Sequence, residues 1–313
     1  MSDVKIGVAL GSGAAKGWAH IGVLRGLARI GILPTHVAGC SIGAFVGAAY
    51  AAGKLNELEQ WVRGFSSWDV MGLLDITWRR GGLVSGEKVF QAASDAMGIS
   101  DITELEKPFI AVATDLYSGQ EVWLDKGSLS DIVRASCSIP GLMEPKRIGQ
   151  RWLVDGAVVN PVPVSACRSL GADLVIAVDL HGDGRHGSSE PVRMTEVAHV
   201  PEEEEPQKES GFMDLLASGK ELVNDLADRF TSTTIQQPNM LAVMHQSMEI
   251  LEQRHKRARL MGDPPEALIL PRVGDINTME FQRAGEAIAA GEEAVLRVRH
   301  LIEAELDRFV RQN

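Results

Sequence analysis

Short apolar runs alternate with helical patterns along the first 180 residues of this chain. Glycine and proline close several of the helical segments, for example Gly31 and Pro34 after the first one. Six runs have the length of strands: Val4–Leu10, His36–Cys40, Phe109–Leu116, Gln120–Leu124, Trp152–Asp155 and Leu174–Leu180. Strands that alternate with helices form parallel sheets, so the pattern predicts an α/β fold with a mostly parallel central sheet. The short spacing between the third and fourth runs predicts a hairpin.

The character of the chain changes after Leu180. Residues 181–210 are rich in Gly, Ser, Pro, His and Glu and include four consecutive glutamates, a composition typical of a mobile exposed segment. The later elements are predicted as follows: helices at 211–230 and 239–260, a strand at Ala267–Leu270 and a long helix at 278–311. We therefore interpret 1–313 as one domain. Its parts are a core at 5–180, a flexible acidic segment plus helical insertion or lid at 185–262, and a final strand and helix at 263–313.

The helical pattern at 211–230 carries an apolar stripe with two interpretations. The stripe either packs on the main domain or forms a lid that faces lipid, and packing is the more common role of such a stripe. Its members are Leu215, Leu222, Val223, Leu226 and Phe230.

Charge and cysteine content exclude several classes of protein. The net charge is 31 − 42 = −11, which argues against nucleic acid as a partner because phosphate binding needs clustered Lys and Arg. Any contact with a membrane surface is then expected to be transient and apolar. The 3 cysteines are well separated and predict reduced thiols, not a disulfide framework or a zinc site. With no signal-peptide pattern and no apolar run long enough to span a bilayer, we expect a cytoplasmic protein, peripheral at most to a membrane.

A Gly-x-Ser-x-Gly motif stands between the second predicted strand and the next helix. It reads Gly39-Cys40-Ser41-Ile42-Gly43. A nucleophile at such a tight turn needs neighbours without side chains, so that its hydroxyl is exposed and its backbone can adopt strained torsions. The motif by itself is also compatible with a glycine-rich junction of no catalytic importance. Its place at a strand–turn–helix junction favours Ser41 as a nucleophile.

A glycine-rich loop follows the first predicted strand and has three interpretations. Its residues are Gly11, Ser12, Gly13, Ala14, Ala15, Lys16 and Gly17. A dinucleotide-binding fingerprint fails because Lys16 occupies the place of the third glycine, and a P-loop fails because no Gly-Lys-Ser/Thr ending is present. The third is an oxyanion hole, in which free backbone N–H groups stabilise the charge on an attacked carbonyl oxygen. Close packing of helix and strand is the alternative without function.

An aspartate ends the predicted strand at Trp152–Asp155. Asp155 precedes Gly156 and Ala157, a sequence that is often only a turn. A free aspartate, with a pKa of about 3.9, is a weak base for a serine hydroxyl. Burial would raise that pKa, and a direct hydrogen bond to Ser41 would orient the attack.

The order and spacing of these motifs resemble the patatin-like phospholipase family, over roughly residues 5–180. Ala135–Gly141 and Asn160–Pro163 resemble it too, and the arrangement is most similar to compact bacterial members related to the catalytic region of neuropathy-target-esterase-type proteins. The glycine loop departs from the usual Gly-Gly-Gly-x-Arg/Lys-Gly, because here it reads Ser12-Gly13-Ala14-Ala15-Lys16-Gly17.

The resemblance implies a three-layer α/β/α patatin-like fold and a serine hydrolase that cleaves lipid acyl esters, without cofactor or metal. Ser41 would form an acyl-enzyme and Asp155 would be the only base. The N–H groups around Gly13 and Ala14 would hold the oxyanion, while Lys16 would anchor the loop. The lipid class and the oligomeric state are not predicted.

Two rival functions stay open at the level of sequence. One is an α/β-hydrolase with a Ser41–Asp155–His181 triad, although Ser41 comes early in the chain for that fold. The other is a catalytically weak scaffold or regulator on the same fold. His181, Asp183 and His186 form a loose cluster that we interpret as solvated and not as a metal site. His20, near the glycine loop, is interpreted as a helix-packing residue.

Overall fold

The computed structural model describes residues 4–64, 76–77, 83–182 and 240–312. The strands are β1 Ile6–Leu10, β2 His36–Cys40, β3 Ile76–Thr77, β4 Leu83–Val84, β5 Phe109–Asp115, β6 Glu121–Leu124, β7 Lys146–Ile148, β8 Arg151–Asp155, β9 Leu174–Val178 and β10 Ala267–Ile269. The α-helices are α1 Ala19–Arg29, α2 Ile42–Ala51, α3 Leu55–Arg63, α4 Glu87–Met97, α5 Leu129–Ser136, α6 Val164–Ser169, α7 Met240–Gly262 and α8 Ala284–Gln312. Short 3₁₀ turns lie at Ala14–Trp18, Ile102–Glu104, Gly156–Val158 and Phe281–Arg283.

The central sheet is mixed and mostly parallel. Among the described residues its order is β10-β9-β1-β2-β5-β8-β7, with β6 also paired to β5. The five strands from β10 to β5 run parallel, whereas β6, β7 and β8 pair antiparallel to their neighbours. The hairpin predicted between the third and fourth runs is present as β5–β6.

Helices cover both faces of the sheet and make three layers. On one face, alternate strand residues such as Val8 and Leu10 join a large apolar core with α1, α2 and α8. On the other face, Ala9, Ala38 and Val112 form a smaller core with α6. This alternation follows from the strand geometry, in which successive side chains point to opposite faces. The predicted three-layer α/β/α arrangement is confirmed.

Several predicted boundaries shift by a few residues. The first helix starts as the 3₁₀ turn Ala14–Trp18 before α1, and the final helix begins at Ala284 and not at 278. The helix predicted at 239–260 is α7. The acidic run and the stripe at 211–230 lie outside the described residues, so the proposed lid at that stripe stays a prediction.

Candidate active site

Ser41 lies at the sharp turn between β2 and α2. Its backbone has φ 56° and ψ −125°, a positive-φ conformation that is strained for a residue with a side chain. Ser41 is 4% exposed. Its N–H donates to Ser136 Oγ at 2.9 Å, and that hydroxyl in turn donates to the Val112 carbonyl at 2.6 Å. These two bonds hold the turn in its strained conformation.

The two motif glycines allow backbone to approach backbone at this turn. A Cβ on Gly43 would lie 2.1 Å from the carbonyl oxygen of Leu10, and a Cβ on Gly39 would lie 2.4 Å from that of Gly43. Both contacts are with main-chain atoms that cannot move aside independently. The glycines therefore let α2 begin directly against the end of β1.

Asp155 reaches Ser41 because β8 runs toward the end of β2. Strand β5 lies between β2 and β8. Its residue Val112 pairs with Cys40 of β2 in parallel, and the next residue, Ala113, pairs with Asp155 of β8 in antiparallel. The hydroxyl of Ser41 donates directly to Asp155 Oδ2 at 2.6 Å. The second carboxylate oxygen accepts from the Ala157 N–H at 2.8 Å and from the Cys40 thiol at 3.9 Å.

The environment of Asp155 changes its acidity. Burial raises the pKa of this carboxyl from 3.8 to about 6, against the opposing effect of hydrogen bonds from Ser41, Ala157 and Cys40. A higher pKa makes the carboxylate a better proton acceptor. The aspartate is therefore more basic here than a free one, while it is still mostly ionised at neutral pH.

The Ala135–Gly141 stretch holds the backbone of Asp155 by a hydrogen bond. The Ser138 carbonyl accepts the Asp155 N–H at 2.9 Å. Arg134, which is fully buried, donates to Ser138 Oγ at 2.6 Å and to the Glu144 carbonyl at 2.8 Å. The stretch thus fixes the backbone that carries the carboxylate.

The glycine loop lies beside Ser41 and leaves two N–H groups pointing to no described acceptor. The Gly11 N–H donates to the Val178 carbonyl at 3.1 Å, Ser12 donates to Pro161 at 2.9 Å and Ala15 donates to Thr278 at 3.2 Å. Between them, the N–H groups of Gly13 and Ala14 have no hydrogen-bond acceptor among the residues that the structure describes. This is the pattern that an oxyanion hole requires.

The conformation of the loop is fixed by its surroundings. Ala14 has φ 48°, a left-handed conformation. His20 is fully buried on α1, and burial lowers the pKa of its imidazole to about 4, so the ring is neutral. Its Nε2 lies 2.8 Å from the Gly11 carbonyl oxygen, and because that oxygen can only accept, Nε2 carries the proton and donates. Lys16 is buried in the 3₁₀ turn and its N–H donates to the Gly13 carbonyl at 3.1 Å. A Cβ on Gly17 would lie 2.2 Å from Ile42, so this glycine lets the loop pack on α2.

A cavity of about 210 Å³ opens over Ser41 and Asp155. The glycine loop, the Ile139–Pro140 segment, the turn after Asp155 and helix α7 contribute its walls. Polar groups such as Ser41 and Asp155 share its walls with apolar residues, as in many small-molecule sites. The apolar members are Ile139, Pro140, Val158, Met248 and Leu251.

Helix α7 brings in a carboxyl group that the sequence did not single out. Glu252 accepts a hydrogen bond of 2.5 Å from Ser12 Oγ. Burial, with the neighbouring charge of Asp155, raises the pKa of Glu252 to about 7. The sequence gives no signal for this residue, because it is separated from Ser12 by 240 positions within a plain helical pattern.

His181 lies against the glycine loop and not between Ser41 and Asp155. Its Cε1 would be 3.5 Å from a Cβ on Gly13, and its backbone N–H donates to Asp179 at 2.9 Å. The direct bond between Ser41 and Asp155 leaves no histidine in the place that a triad would give it. Asp183 and His186 lie outside the described residues, and no group of metal-ligating side chains occurs among the residues that are described.

Residues 8–168 match the patatin-like phospholipase family. That span is more than half of the 313 residues of the chain, and the chain belongs to this family. The resemblance noted from the motifs is therefore confirmed.

Three named relatives are similar to part of this chain. An uncharacterised NTE family protein of Mycobacterium bovis is 40% identical over 181 residues, which cover 58% of this chain and 50% of the relative. Patatin-like phospholipase domain-containing protein 7 of Mus musculus is 36% identical over 184 residues, and neuropathy target esterase sws of Drosophila melanogaster is 33% identical over 183; each match covers 56% of this chain and 13% of the relative. The chain thus spans half the length of the mycobacterial relative and a small part of the animal ones.

A solved structure is similar at a low level. VipD from Legionella pneumophila covers 96% of this chain and 66% of its own, with a TM-score of 0.46 and 14% identity. Across the described residues, no helix is both long and apolar enough to cross a bilayer.

Proposed function

We propose that this chain is a serine hydrolase that cleaves carboxylic esters of lipids, including phospholipid or lysophospholipid acyl chains. The observation that carries the proposal is the 2.6 Å hydrogen bond from the Ser41 hydroxyl to Asp155, at a strained strand–helix turn beneath a cavity. Family membership supports the same chemistry.

The proposed reaction has two halves. Asp155 accepts the Ser41 proton while Oγ attacks the ester carbonyl carbon, and the N–H groups of Gly13 and Ala14 bind the oxyanion of the tetrahedral intermediate. The C–O bond to the leaving alcohol then breaks, the alcohol takes the proton from Asp155, and the acyl group stays on Ser41. In the second half Asp155 takes a proton from water, whose oxygen attacks the acyl carbon, and the proton returns to Ser41 as the acid leaves.

The groups around Ser41 would assist this reaction from their positions. Helix α2 directs its first N–H groups at the site, which favours negative charge there. The raised pKa of Asp155, about 6, lies closer to neutral pH than that of a free aspartate, which makes the carboxylate a better general base. Lys16, buried in the 3₁₀ turn, would anchor the glycine loop.

The test is labelling with a fluorophosphonate probe, followed by mass spectrometry of the modified peptide and by release of fatty acid from monoacyl and diacyl lipids. The wild-type chain should be labelled at Ser41, Ser41→Ala should be neither labelled nor active, and Asp155→Asn should react at least about 10²-fold more slowly. Ser130→Ala, a serine change on α5 away from the cavity, is the matched control and should label normally. Labelling of Ser41→Ala at the wild-type rate would overturn the proposal.

A further inference from the structure

Helix α7 contacts both the glycine loop and the turn after Asp155. Glu252 bonds Ser12 of the glycine loop, and His255 Nε2 lies 2.6 Å from the Val159 carbonyl just after the Asp155 turn. Lys256, one turn on from Glu252, makes a buried ion pair of 2.7 Å with Asp179, which follows β9. Arg259 pairs with Glu121 of β6 at 2.9 Å. These contacts fix the helix over the carboxyl ends of the strands.

The Ser12 contact differs from the others because it reaches the glycine loop, whose Gly13 and Ala14 N–H groups meet no acceptor in the described part of the chain. Ser12 precedes Gly13 and Ala14 directly, so contacts that hold Ser12 also restrain the backbone to which these N–H groups belong. Its own N–H already donates to the Pro161 carbonyl at 2.9 Å, which fixes one side of the residue. The Glu252 carboxyl fixes the other side.

We propose that Glu252 is a positioning residue for ester hydrolysis, which holds the glycine loop through Ser12 so that the N–H groups of Gly13 and Ala14 meet the developing oxyanion. The inference rests on the proposed function. It explains why a carboxyl group lies in the same cavity as Asp155, an arrangement that like charges oppose. The raised pKa of Glu252, about 7, reduces that opposition because the group is partly protonated near neutral pH.

The position of the loop matters because an oxyanion donor acts only at hydrogen-bond distance from the oxygen. Removal of one such donor typically lowers kcat by about 10²–10³-fold. A displaced donor loses part of that effect, and the loss falls on the transition state more than on substrate binding. The expected signature is a lower kcat with little change in KM.

The experiment compares Glu252→Ala, Ser12→Ala, the double variant and Glu252→Gln on a water-soluble p-nitrophenyl ester. Each single alanine variant should lower kcat about tenfold or more with KM within about twofold, by partial loss of the donor effect. The double variant should be no slower than the slower single one, because both changes break the same bond. Glu252→Gln, whose amide oxygen can accept from Ser12, should recover most of the loss.

Arg259→Ala is the control for a merely structural role of α7, since it removes another docking contact of the helix without touching the glycine loop. It should lower Tm while kcat stays within about twofold of the wild type, as for a change remote from the reacting groups. If Glu252→Ala does not fold, Ser12→Ala and Glu252→Gln carry the test from the other side of the bond. Wild-type kcat in Ser12→Ala, additive losses in the double variant, or an equal loss in Arg259→Ala would each overturn the inference.

Failure of the inference and failure of the proposed function are distinguishable. Fluorophosphonate labelling that depends on Ser41, together with a normal kcat in Glu252→Ala, removes only the role of Glu252. Labelling that persists in Ser41→Ala removes the function itself.

Discussion

The hydroxyl oxygen of Ser41 lies 2.6 Å from a carboxylate oxygen of Asp155, although 114 positions of the chain separate them. Ser41 directly follows β2 and Asp155 ends β8, and these two strands run in opposite directions on either side of β5. The hydroxyl and the carboxylate are therefore in contact before any substrate binds.

The pH dependence of catalysis should follow the ionisation of Asp155. The base must be deprotonated to accept the Ser41 proton, and its pKa is raised to about 6. We expect kcat/KM to be level above that value and to fall about tenfold for each pH unit below it. A profile measured on a soluble ester between pH 4.5 and 9 checks this, and an acid limb centred near pH 4 would contradict it.

Replacement of the same aspartate should stabilise the fold at neutral pH. The folded-state pKa lies above the ordinary value of 3.8, so the folded state holds the proton more tightly and its stability falls as pH rises through this interval. Asp155→Asn should then raise the free energy of unfolding by up to about 3 kcal/mol at pH 8, and the gain should vanish below about pH 4.

Asp115→Asn should change the free energy of unfolding in the opposite direction. Hydrogen bonds from Ser118 and Arg151 lower the pKa of Asp115 to about 2, so its ionised form stabilises the fold above its ordinary pKa and the effect is lost as pH falls through the lowered value. This variant should be less stable than the wild type at pH 8. Urea unfolding of both variants at several pH values measures the contrast, and shifts of equal sign would refute the assignment.

His181→Ala separates the two-residue mechanism from a triad. Because the Ser41 hydroxyl donates directly to Asp155, the imidazole is not needed as the base. We expect kcat to stay within about tenfold of the wild type, whereas Asp155→Asn should lose about 10²-fold or more. If the histidine variant instead lost as much activity as the aspartate variant on the same ester, the triad would be the better description.

A methyl group at Gly43 should prevent the turn from forming. Its Cβ would lie 2.1 Å from the Leu10 carbonyl oxygen, and neither main chain can yield without moving β1 or α2. We expect Gly43→Ala to cost at least about 3 kcal/mol of stability, in the upper range for overpacking. Gly262→Ala, where no atom lies within 4 Å of the added group, should change the free energy of unfolding by about 0.5 kcal/mol or less. Thermal unfolding of the pair tests this, and equal stabilities would show that the backbone can relax.

The buried ion pair that anchors α7 should be costly to break. Lys256 and Asp179 are 4% and 7% exposed, so Lys256→Met leaves an uncompensated carboxylate in the interior. A loss of about 3–5 kcal/mol is expected. Lys54→Met breaks an exposed pair with Glu57, at 40% and 57% exposure, and should cost about 1 kcal/mol or less. Urea unfolding at pH 7 compares the two, and similar losses would contradict the assigned burial.

Local sequence patterns were enough to predict most strands of the central sheet. The apolar runs predicted seven strands, because strands covered on both faces of a sheet have short, nearly continuous apolar sequences. They are β1, β2, β5, β6, β8, β9 and β10. The strand–turn–helix setting of Ser41 and the glycine loop were likewise visible, since both depend on glycines next to each other in sequence. The short strand β7 carried no such pattern, as its three residues are not fully buried.

The sequence by itself determined the α/β class, the order of the strands other than β3, β4 and β7, and the candidate groups Ser41, Asp155 and Gly13, because these depend on residues close together in the chain. The tertiary structure decided which of them meet. Only strand pairing shows that β8 runs against β5 and thereby carries Asp155 to Ser41. Only packing brings Glu252 onto Ser12, because a contact across 240 positions leaves no trace in the local pattern of either segment.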